Sequence, residues 1–453
     1  MRHKNKQGIA YSVFPFGSSR QMFLVGEPEV QTADNYPRQV RSLLENVKTV
    51  CEKEGFTDNV AVMCHFFIAD IGMKELVRQL AYEICPQMMG AVTFVPQAPA
   101  SEAKIAVELW AVGGEKTKVV CVRHHIDVVA TAEFDEMHWC FCGGCMQEAH
   151  RVGAYDRSYY AFQWLYRWLH LTNFRLDQVL RTWIYQGHLV MPERDTQRYK
   201  ELNRARTDFF NKHLPFEKYP YWRKMSYFES FVFFLKSLCP SWLKLTTKNT
   251  KETQCSQRTV YPASTGIGAD DFDVVMSAVA LDTKRKDVKV VPLENPNQTS
   301  AFDYGAVYSP QSPKFSRAMA VVAGKECLIF VSGTASITDS ESRHIGDPVK
   351  QTEQTLDNIA ALIDSENLAR HGINGMSCRL DNLECVRVYI KRPSELEIIR
   401  QICERRLPEV PTIYTVADIC RPELLVEIEG IAYSICKVPS PGERYFHARV
   451  RGG

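Results

Sequence analysis

The sequence lacks the short motifs that mark the common nucleotide-binding and serine-hydrolase sites. Its 453 residues contain no GxGxxG fingerprint, no P-loop and no GxSxG elbow, so neither of these two classes of chemistry is expected. An excess of one charge is lacking as well, because 55 Lys and Arg residues are balanced by 53 Asp and Glu residues for a formal net charge of +2. Such a balance gives no field that would hold a polyanion. Nucleic acid is therefore not an expected partner.

Long apolar runs are also missing. The most apolar stretch, residues 227–242, carries Glu229 and Lys236 and has about half the length that a membrane-spanning helix needs. The amino-terminal segment MRHKNKQGIAYSVF lacks the apolar centre of a secretion signal. The 15 cysteines are an odd number spread through a long chain, unlike a compact disulfide framework. We therefore predict a cytoplasmic protein without a membrane partner.

A complete set of metal ligands is not present either. The cluster CFCGGC at 140–145 and the pair His124 and His125 suggest zinc, but no second Cys or His cluster completes a four-ligand site. We interpret these cysteines as small buried side chains beside a glycine turn. Neither a metal nor an organic cofactor is predicted.

What the sequence does contain is a weak repeat with a long period. Apolar residues recur at helical spacing in PRQVRSLLENVKTV (37–50) and in PVKQTEQTLDNIAALI (348–363). Asp347 is typical of an N-cap and Pro348 of a first helical position. Three identities support the match at a shift of 312 residues: Gln39 with Gln351, Leu44 with Leu356 and Asn46 with Asn358.

Each of these two helices is followed by a strand, a second helix and a closing strand. The first copy continues through 59–70, 73–82 and 104–112, and the last through 383–391, 394–403 and 424–433. A less regular copy lies between them at 159–171, 176–185, 198–210 and 271–281, interrupted by an insertion at 211–258. The order helix, strand, helix, strand thus occurs three times.

These repeats predict an α+β fold of three related modules, with limits 1–130, 131–300 and 301–453. Helices would cover one face of each sheet and leave the other bare. Three such sheets can bury their bare faces around a common axis. The chain would then be an internal pseudo-trimer, either a monomer or a weak homo-oligomer.

The closing strand LLVEIEGIAY carries two carboxylates on one face, because side chains alternate along a strand and Glu427 and Glu429 are two residues apart. If this face meets another module, burial raises a carboxyl pKa, and a second like charge about 7 Å away acts in the same direction. A general acid is the use that fits such a group. The alternative is an ordinary strand Glu that is solvated or paired with an Arg.

Two further features are candidates for ligand binding. The strand LIFVSGTASI runs into a turn of small residues, Ser332, Gly333, Thr334 and Ala335, where a ligand can approach the backbone closely. A turn that serves folding alone is the alternative. Arg400 follows two isoleucines on a helix and could hold a carboxylate bidentately, although a surface position would explain it as well.

These motifs resemble two related families. Each module resembles the RidA/YjgF fold, whose members form trimers with ligand clefts between subunits and carry a VEIE-type motif, here 426–429. Residues from about 135 to 435 resemble, more specifically, the chorismatases. The matching segments are PASTGIGAD (262–270), ENPNQTSAFDYG (294–305), SPKFSRAM (312–319), VSGTASI (331–337), HIGDPVKQTEQTLDNI (344–359) and CRPELLVEIEG (420–430). In this comparison the amino-terminal module is an addition.

The resemblance assigns roles to individual residues. Glu427 matches the catalytic carboxylate, and Arg400 matches a helix position that lines the ligand cleft. Arg317 and Tyr304 lie in segments that contribute to the cleft. The members that form 3-hydroxybenzoate are similar to this chain in two further residues, Cys420 and Gly333.

The resemblance implies an enzyme that takes a small-molecule substrate. A chorismatase would convert chorismate to 3-hydroxybenzoate and pyruvate without a cofactor, with a buried neutral Glu427 protonating the enolpyruvyl ether. Cys420 would either assist beside the ring or line the site. The arginine that RidA imine deaminases place after the proline of VPTIYTVADIC is missing. A RidA-like enamine or imine deaminase, and a non-catalytic ligand-binding or scaffold protein, stay as alternatives.

Overall fold

The computed structural model describes residues 2–4, 8–29, 35–57, 61–88, 90–124, 127–145, 153–217, 260–305 and 310–436. The apolar stretch at 227–242, most of the predicted insertion and His125 lie outside these ranges.

The amino-terminal part of the chain forms a six-stranded sheet in the order β1-β2-β3-β6-β4-β5. Its strands are β1 Arg2–Lys4, β2 Ile9–Phe16, β3 Ser19–Gly26, β4 Ala61–Ile68, β5 Ala91–Val95 and β6 Ile105–Gly113. Helices α1 Tyr36–Lys53 and α2 Lys74–Ile84 follow β3 and β4 in the chain.

The middle part forms a second six-stranded sheet in the order β13-β10-β14-β9-β8-β7. Its strands are β7 Lys118–His124, β8 Asp127–Phe134, β9 Met137–Cys145, β10 Val179–Gly187, β13 Ala263–Ala269 and β14 Val274–Thr283, with a separate hairpin of β11 Pro192–Glu193 and β12 Thr196–Gln197. Its helices are α3 Ala154–Leu171 and α4 Arg198–Glu217.

The carboxy-terminal part forms the third sheet, in the order β15-β16-β17-β22-β20-β21. Its strands are β15 Val288–Leu293, β16 Ala318–Ala323, β17 Glu326–Ala335, β20 Leu383–Ile390, β21 Thr412–Val416 and β22 Val426–Ile435, with a hairpin of β18 Ile337–Thr338 and β19 Glu341–Ser342. Its helices are α5 Pro348–Ile363, α6 Ser365–Arg370 and α7 Leu396–Arg406. The Asp347 side chain accepts a hydrogen bond from the Lys350 amide at 3.0 Å, so the predicted N-cap is confirmed.

The three sheets share one topology. In each, a meander of three antiparallel strands leads to the closing strand, which pairs with a strand that has a parallel edge neighbour. The α+β class and the threefold repetition are thus confirmed. The repeat predicted two strands per module, and this is wrong because each sheet has six. The meander strands and the short parallel edge strands lie outside the helix, strand, helix, strand repeat, so the repeat could not reveal them.

The inner faces of all three sheets meet in one aromatic core. It contains residues from every module, among them Trp110, Trp139, Trp183, Phe330 and Tyr389. Three further apolar clusters lie on the outer faces, where each sheet packs against its own helices. Burial of the bare sheet faces against one another therefore holds the modules together, as the pseudo-trimer prediction requires.

Strand pairing suggests module limits that differ from the sequence estimate. β7 and β8, at 118–134, pair with the second sheet, and β15, at 288–293, pairs with the third. We propose limits at the connections 114–117 and 284–287 in place of 130/131 and 300/301. Within the described ranges, no helix has both the length and the hydropathy needed to cross a bilayer.

Candidate active site

Strand β22 directs Glu427 and Glu429 toward the seam between modules. Both belong to the inner face of the sheet, and they are only 5% and 2% exposed. Their neighbours Val426 and Ile428 belong to the opposite face, in the cluster formed with the helices. The predicted common face is confirmed, and neither carboxylate is solvated.

Glu429 is surrounded by hydrogen-bond donors. Tyr389 donates to its Oε1 at 2.8 Å and Arg387 to the same oxygen at 3.1 Å. Arg181 and the Thr265 hydroxyl donate to its Oε2. Two guanidinium groups and two hydroxyls thus donate to the two oxygens of this carboxylate. The arginine-paired alternative is therefore correct for Glu429.

Glu427 lies in a different environment two residues earlier. Among the described residues, none donates a hydrogen bond to its carboxyl group. Burial, followed by the Glu429 charge, raises its pKa to about 8, although Arg181 and Arg317 act in the opposite direction. The group is therefore mostly neutral at pH 7 and can donate a proton.

Glu427 opens into a cavity of about 260 Å³ between the middle and carboxy-terminal modules. The middle module contributes lining residues from α4 and β13, and the carboxy-terminal module contributes residues from β17, β22 and the segment before β22. The lining includes Gln197, Tyr199, Lys200, Asn203, Arg206, Ser264, Gly266, Tyr304, Phe315, Arg317, Gly333, Ala335, Cys420, Arg421, Glu423 and Glu427.

Three arginines of the lining alternate with aromatic rings, and we call them the arginine row: Arg206, Arg317 and Arg421. Arg206 and Arg317 each lie 5.6 Å from the Phe315 ring centroid. Arg317 and Arg421 each lie 5.5 Å from that of Tyr304. Rings between the cations hold them in place and reduce their mutual repulsion. The row concentrates positive charge on one wall of the cavity.

Two members of the arginine row retain unused donors. Arg317 donates to the Tyr304 hydroxyl at 2.6 Å and to the Thr299 carbonyl at 2.8 Å. Arg206 donates to Asn203 at 2.5 Å. The Nε groups of both arginines are buried without a hydrogen-bond partner among the described residues. A buried unpaired donor is costly, so an anionic ligand in the cavity would relieve that cost.

Gly333 lies directly against the candidate acid. A β-carbon at this position would lie 2.0 Å from Glu427 Oε1 and 3.1 Å from Thr265 Cγ2. Its amide donates to the Thr265 hydroxyl at 2.9 Å, at a point where the pairing of β17 with β22 shifts register. Absence of a side chain at 333 therefore leaves the Glu427 carboxyl room to face the cavity.

Most of the sequence-predicted site residues come together in this cavity. Glu427, Cys420, Gly333, Ala335, Arg317 and Tyr304 all line it. Ser332 and Thr334 do not: their hydroxyls donate to the carbonyls of Ser316 and Ser332, because alternate residues of the strand point away from the cavity.

Arg400 is the clearest difference from the sequence prediction. It lies on α7 with its guanidinium 5.4 Å from the Tyr414 ring centroid, and it does not line the cavity. Burial raises the pKa of Glu27 in the amino-terminal module, and the Arg400 charge opposes that rise. Arg400 therefore belongs to another seam. The sequence alone could not decide which module its helix would face.

Cys420 is half-buried at the edge of the cavity. Burial, followed by the charge of Glu427, raises the pKa of its thiol to about 12. A neutral thiol is a weak nucleophile, so a covalent role is not favoured. The other cysteines named in the sequence, Cys140 and Cys142, are buried in β9 with their sulfur atoms 3.8 Å apart.

The contribution of α4 was not predicted from the sequence. Arg206 and Tyr199 lie on this helix, and burial lowers the pKa of Arg206 while the neighbouring Tyr199 opposes that shift. Arg421 was missed although it follows Cys420 directly. A signal for Arg206 existed in RYKELNRARTDFF, because Arg206 lies four residues after Leu202 and four before Phe210, on the helix face that these apolar side chains bury.

Several known proteins are similar to this chain in sequence or in fold. No protein-family model matches the chain. A 3-hydroxybenzoate synthase from Streptomyces hygroscopicus is 37% identical over 176 residues, which cover 38% of this chain and 50% of that protein. A chorismatase from Streptomyces rapamycinicus is 36% identical over 173 residues, with coverage of 38% and 50%. The chain thus spans about half the length of the curated relatives it matches.

A crystal structure of a chorismatase aligns with 83% of this chain and 93% of its own, at a TM-score of 0.58 and 22% identity. The chain resembles the chorismatases in sequence and shares their fold. Residues 131–453 make up only about 71% of the chain (323 of 453), so the alignment extends into the amino-terminal module.

Proposed function

We propose that the chain is a chorismatase that converts chorismate to 3-hydroxybenzoate and pyruvate. The observation that carries the proposal is a buried acid with a raised pKa, Glu427, facing a cavity with the arginine row on its wall. Chorismate is a dianion with an acid-sensitive enol ether, so it needs both features. The named relatives at 36% to 37% identity support this substrate over others.

The arginine row would bind the two carboxylates of the substrate. Buried guanidinium groups form strong bidentate hydrogen bonds to carboxylates. Two separate anionic groups would fix both ends of the molecule and orient the enolpyruvyl group toward Glu427. Holding the reacting atoms in this way lowers the barrier before any proton moves.

Glu427 would then transfer its proton to the terminal methylene carbon of the enolpyruvyl group. A C–H bond forms, and positive charge develops on the ether carbon, where water adds and returns a proton to Glu427. The C–O bond to pyruvate breaks, and the ring keeps its oxygen at carbon 3. Loss of the neighbouring hydroxyl as water makes the ring aromatic, so one water enters and one leaves.

Replacement of the acid tests this proposal. We expect Glu427→Gln to lower kcat by about 10²- to 10⁴-fold, the usual contribution of a general acid. Chorismate consumption is followed by chromatography of the incubated mixture without added cofactor. Glu366→Gln is the matched control, since Glu366 is 73% exposed and pairs only with Arg370. Undiminished turnover by Glu427→Gln would remove the assigned acid.

Chorismate consumption, measured together with ammonia release and ligand binding, separates the alternatives. Release of ammonia from enamine or imine substrates, with none of the chorismate consumed, would favour a deaminase. Tight binding of an aromatic acid without product would favour a non-catalytic role.

A further inference from the structure

A second group of buried charges lies behind Glu427 and outside the cavity. Its members alternate in sign and come from all three modules: Glu108, Arg387, Glu429 and Arg181. None is more than 8% exposed. We call this group the axial network, because it lies where the three closing strands converge.

Hydrogen bonds join the network into one chain. Arg387 donates to Glu108 through Nε at 2.6 Å and through Nη2 at 2.5 Å. The Nη1 group of Arg387 donates to Glu429 at 3.1 Å and to the Tyr185 hydroxyl at 2.7 Å. Arg181 completes the chain on the other oxygen of Glu429. The two guanidinium groups lie 4.9 and 5.0 Å from the Trp183 ring centroid.

The charges within the network balance. Two carboxylates face two guanidinium groups, and the neighbouring His65 adds none, because burial and the Arg387 charge lower its pKa well below the ordinary value. Both cations are thus engaged by Glu108 and Glu429. Of the two cations in the axial network, Arg181 acts directly to stabilise an ionised Glu427, and the Glu429 charge opposes it.

We propose that Glu108 is a positioning residue for the reaction: by engaging Arg387, it keeps the core beside Glu427 electrically neutral. Among the described residues, none from the amino-terminal module lines the cavity, yet the module would take part in the chemistry through this one carboxylate. The proposal rests on the proposed function for its kinetic readout and on the axial network for its physical basis.

The surroundings of both groups are defined. Glu427 is faced by Glu429 on its own strand, Arg181 of β10 and Arg317 beside β16. Cys420 and Tyr199 of α4 complete its titratable neighbours. Around Glu108 the titratable neighbours are Arg387, His65, Cys64, Cys385 and Tyr185.

Removal of the Glu108 charge is the first experiment. Glu108→Gln leaves two guanidinium groups against one carboxylate, which favours ionised Glu427. Glu108 is connected to Glu429, the neighbour of Glu427, through Arg387, so we expect the basic limb of the pH profile of kcat/KM to move down by about one pH unit, the order expected when one charge of a buried network loses its partner. An unchanged limb would overturn the proposal.

Two further variants separate electrostatics from structure. Arg387→Gln leaves an excess negative charge and should move the basic limb up by about one unit. The double variant restores the balance and should return the limb close to its wild-type position. A merely structural role predicts that the double variant is worse than either single one, with no opposite shifts. The double variant also serves if a single one does not fold.

An infrared titration distinguishes this inference from the proposed function. The carbonyl stretch of the protonated carboxyl, assigned by its loss in Glu427→Gln, reports the midpoint directly in wild type and in each variant. If wild type does not consume chorismate, the proposed function fails while the three shifts still decide the role of Glu108. If the midpoints stay fixed, the inference fails whatever the activity.

Discussion

The three seams between modules have the same strand arrangement, yet in the described part of the chain a cavity is found in the seam between the middle and carboxy-terminal modules. Equivalent positions follow from strand register. The place of Glu427, opposite Tyr389, is taken by Ala106 opposite Phe67 in the amino-terminal module. In the middle module it is taken by Val275. One seam therefore carries the acid, and the other two have apolar side chains.

The parallel edge strands differ in the same way. Gly266, paired with Ile184, lines the cavity, and its equivalents are Tyr414 and Phe94. The ring of Tyr414 packs under Arg400, and that of Phe94 packs under Lys74 and Arg78. Aromatic side chains thus stand at two of the three equivalent positions, where they belong to the outer-face clusters, and glycine stands at the third beside the Tyr199 ring. The candidate site differs from the equivalent positions of the other modules at Glu427 and at Gly266.

Installing an aromatic ring in the open seam should have the largest effect. A β-carbon at position 266 would lie 3.2 Å from the Tyr199 ring. We therefore expect Gly266→Tyr to displace that ring into the cavity and to reduce kcat/KM by more than about 10²-fold, while thermal unfolding shows an intact fold. The reverse control is Tyr414→Ala, which should lower the free energy of unfolding by about 3–5 kcal/mol with kcat/KM retained below its unfolding temperature. Retained turnover in Gly266→Tyr would mean that the reaction occurs elsewhere.

Arginines from the two kinds of seam should respond differently. Arg317→Ala removes a buried charged donor from the cavity and should lower kcat/KM by about 10- to 100-fold, mainly through KM. Arg400→Ala is the matched control and should change it by less than about twofold. Steady-state kinetics with chorismate measures both. A larger effect of Arg400→Ala would restore the sequence-based assignment.

The pH dependence should identify the seam that carries the acid. Because the pKa of Glu427 is about 8, kcat/KM should fall about tenfold per unit above that pH. The folded state also holds a proton that the unfolded state has lost between about pH 4.5 and 8. The free energy of unfolding should therefore decrease as pH rises through this window, by up to about 1.4 kcal/mol per unit. In Glu427→Gln, the free energy of unfolding measured with denaturant should not show this decrease with pH.

The smallest effect is expected at Cys420. Since its thiol is neutral, Cys420→Ser should change kcat by less than about tenfold. The ratio of aromatic to non-aromatic product, read from the same chromatogram, is the more sensitive measure of contact with the ring. Complete loss of turnover would assign Cys420 a direct chemical role.

Some of the site could be predicted from the sequence because it depends on short segments. Alternation along LLVEIEGIAY places Glu427 and Glu429 on one face in any strand that contains them. This alternation could not predict that Glu427 is a candidate acid while Glu429 is paired with arginines. Their difference comes from Arg181, Arg387 and Thr265, which are distant in the chain and meet Glu429 only through the closure of three sheets.

The strand ASTGIGA is an element that could not be predicted from its local sequence. Its glycines and small residues give it low intrinsic β-propensity, and it forms β13 because β10 offers a parallel partner. One of the glycines that weaken the strand, Gly266, lines the cavity. The position of Arg400 outside this cavity has a related reason, since a helix position fixes a side chain only relative to its own module.

Local periodicity was enough to predict three modules, their helices and closing strands, and the strand that carries the acid. The seam with the cavity, the arginines that line it and the raised pKa of Glu427 became visible only in the three-dimensional structure. Those properties depend on burial and on charges brought together from distant parts of the chain, and neither has a local signal.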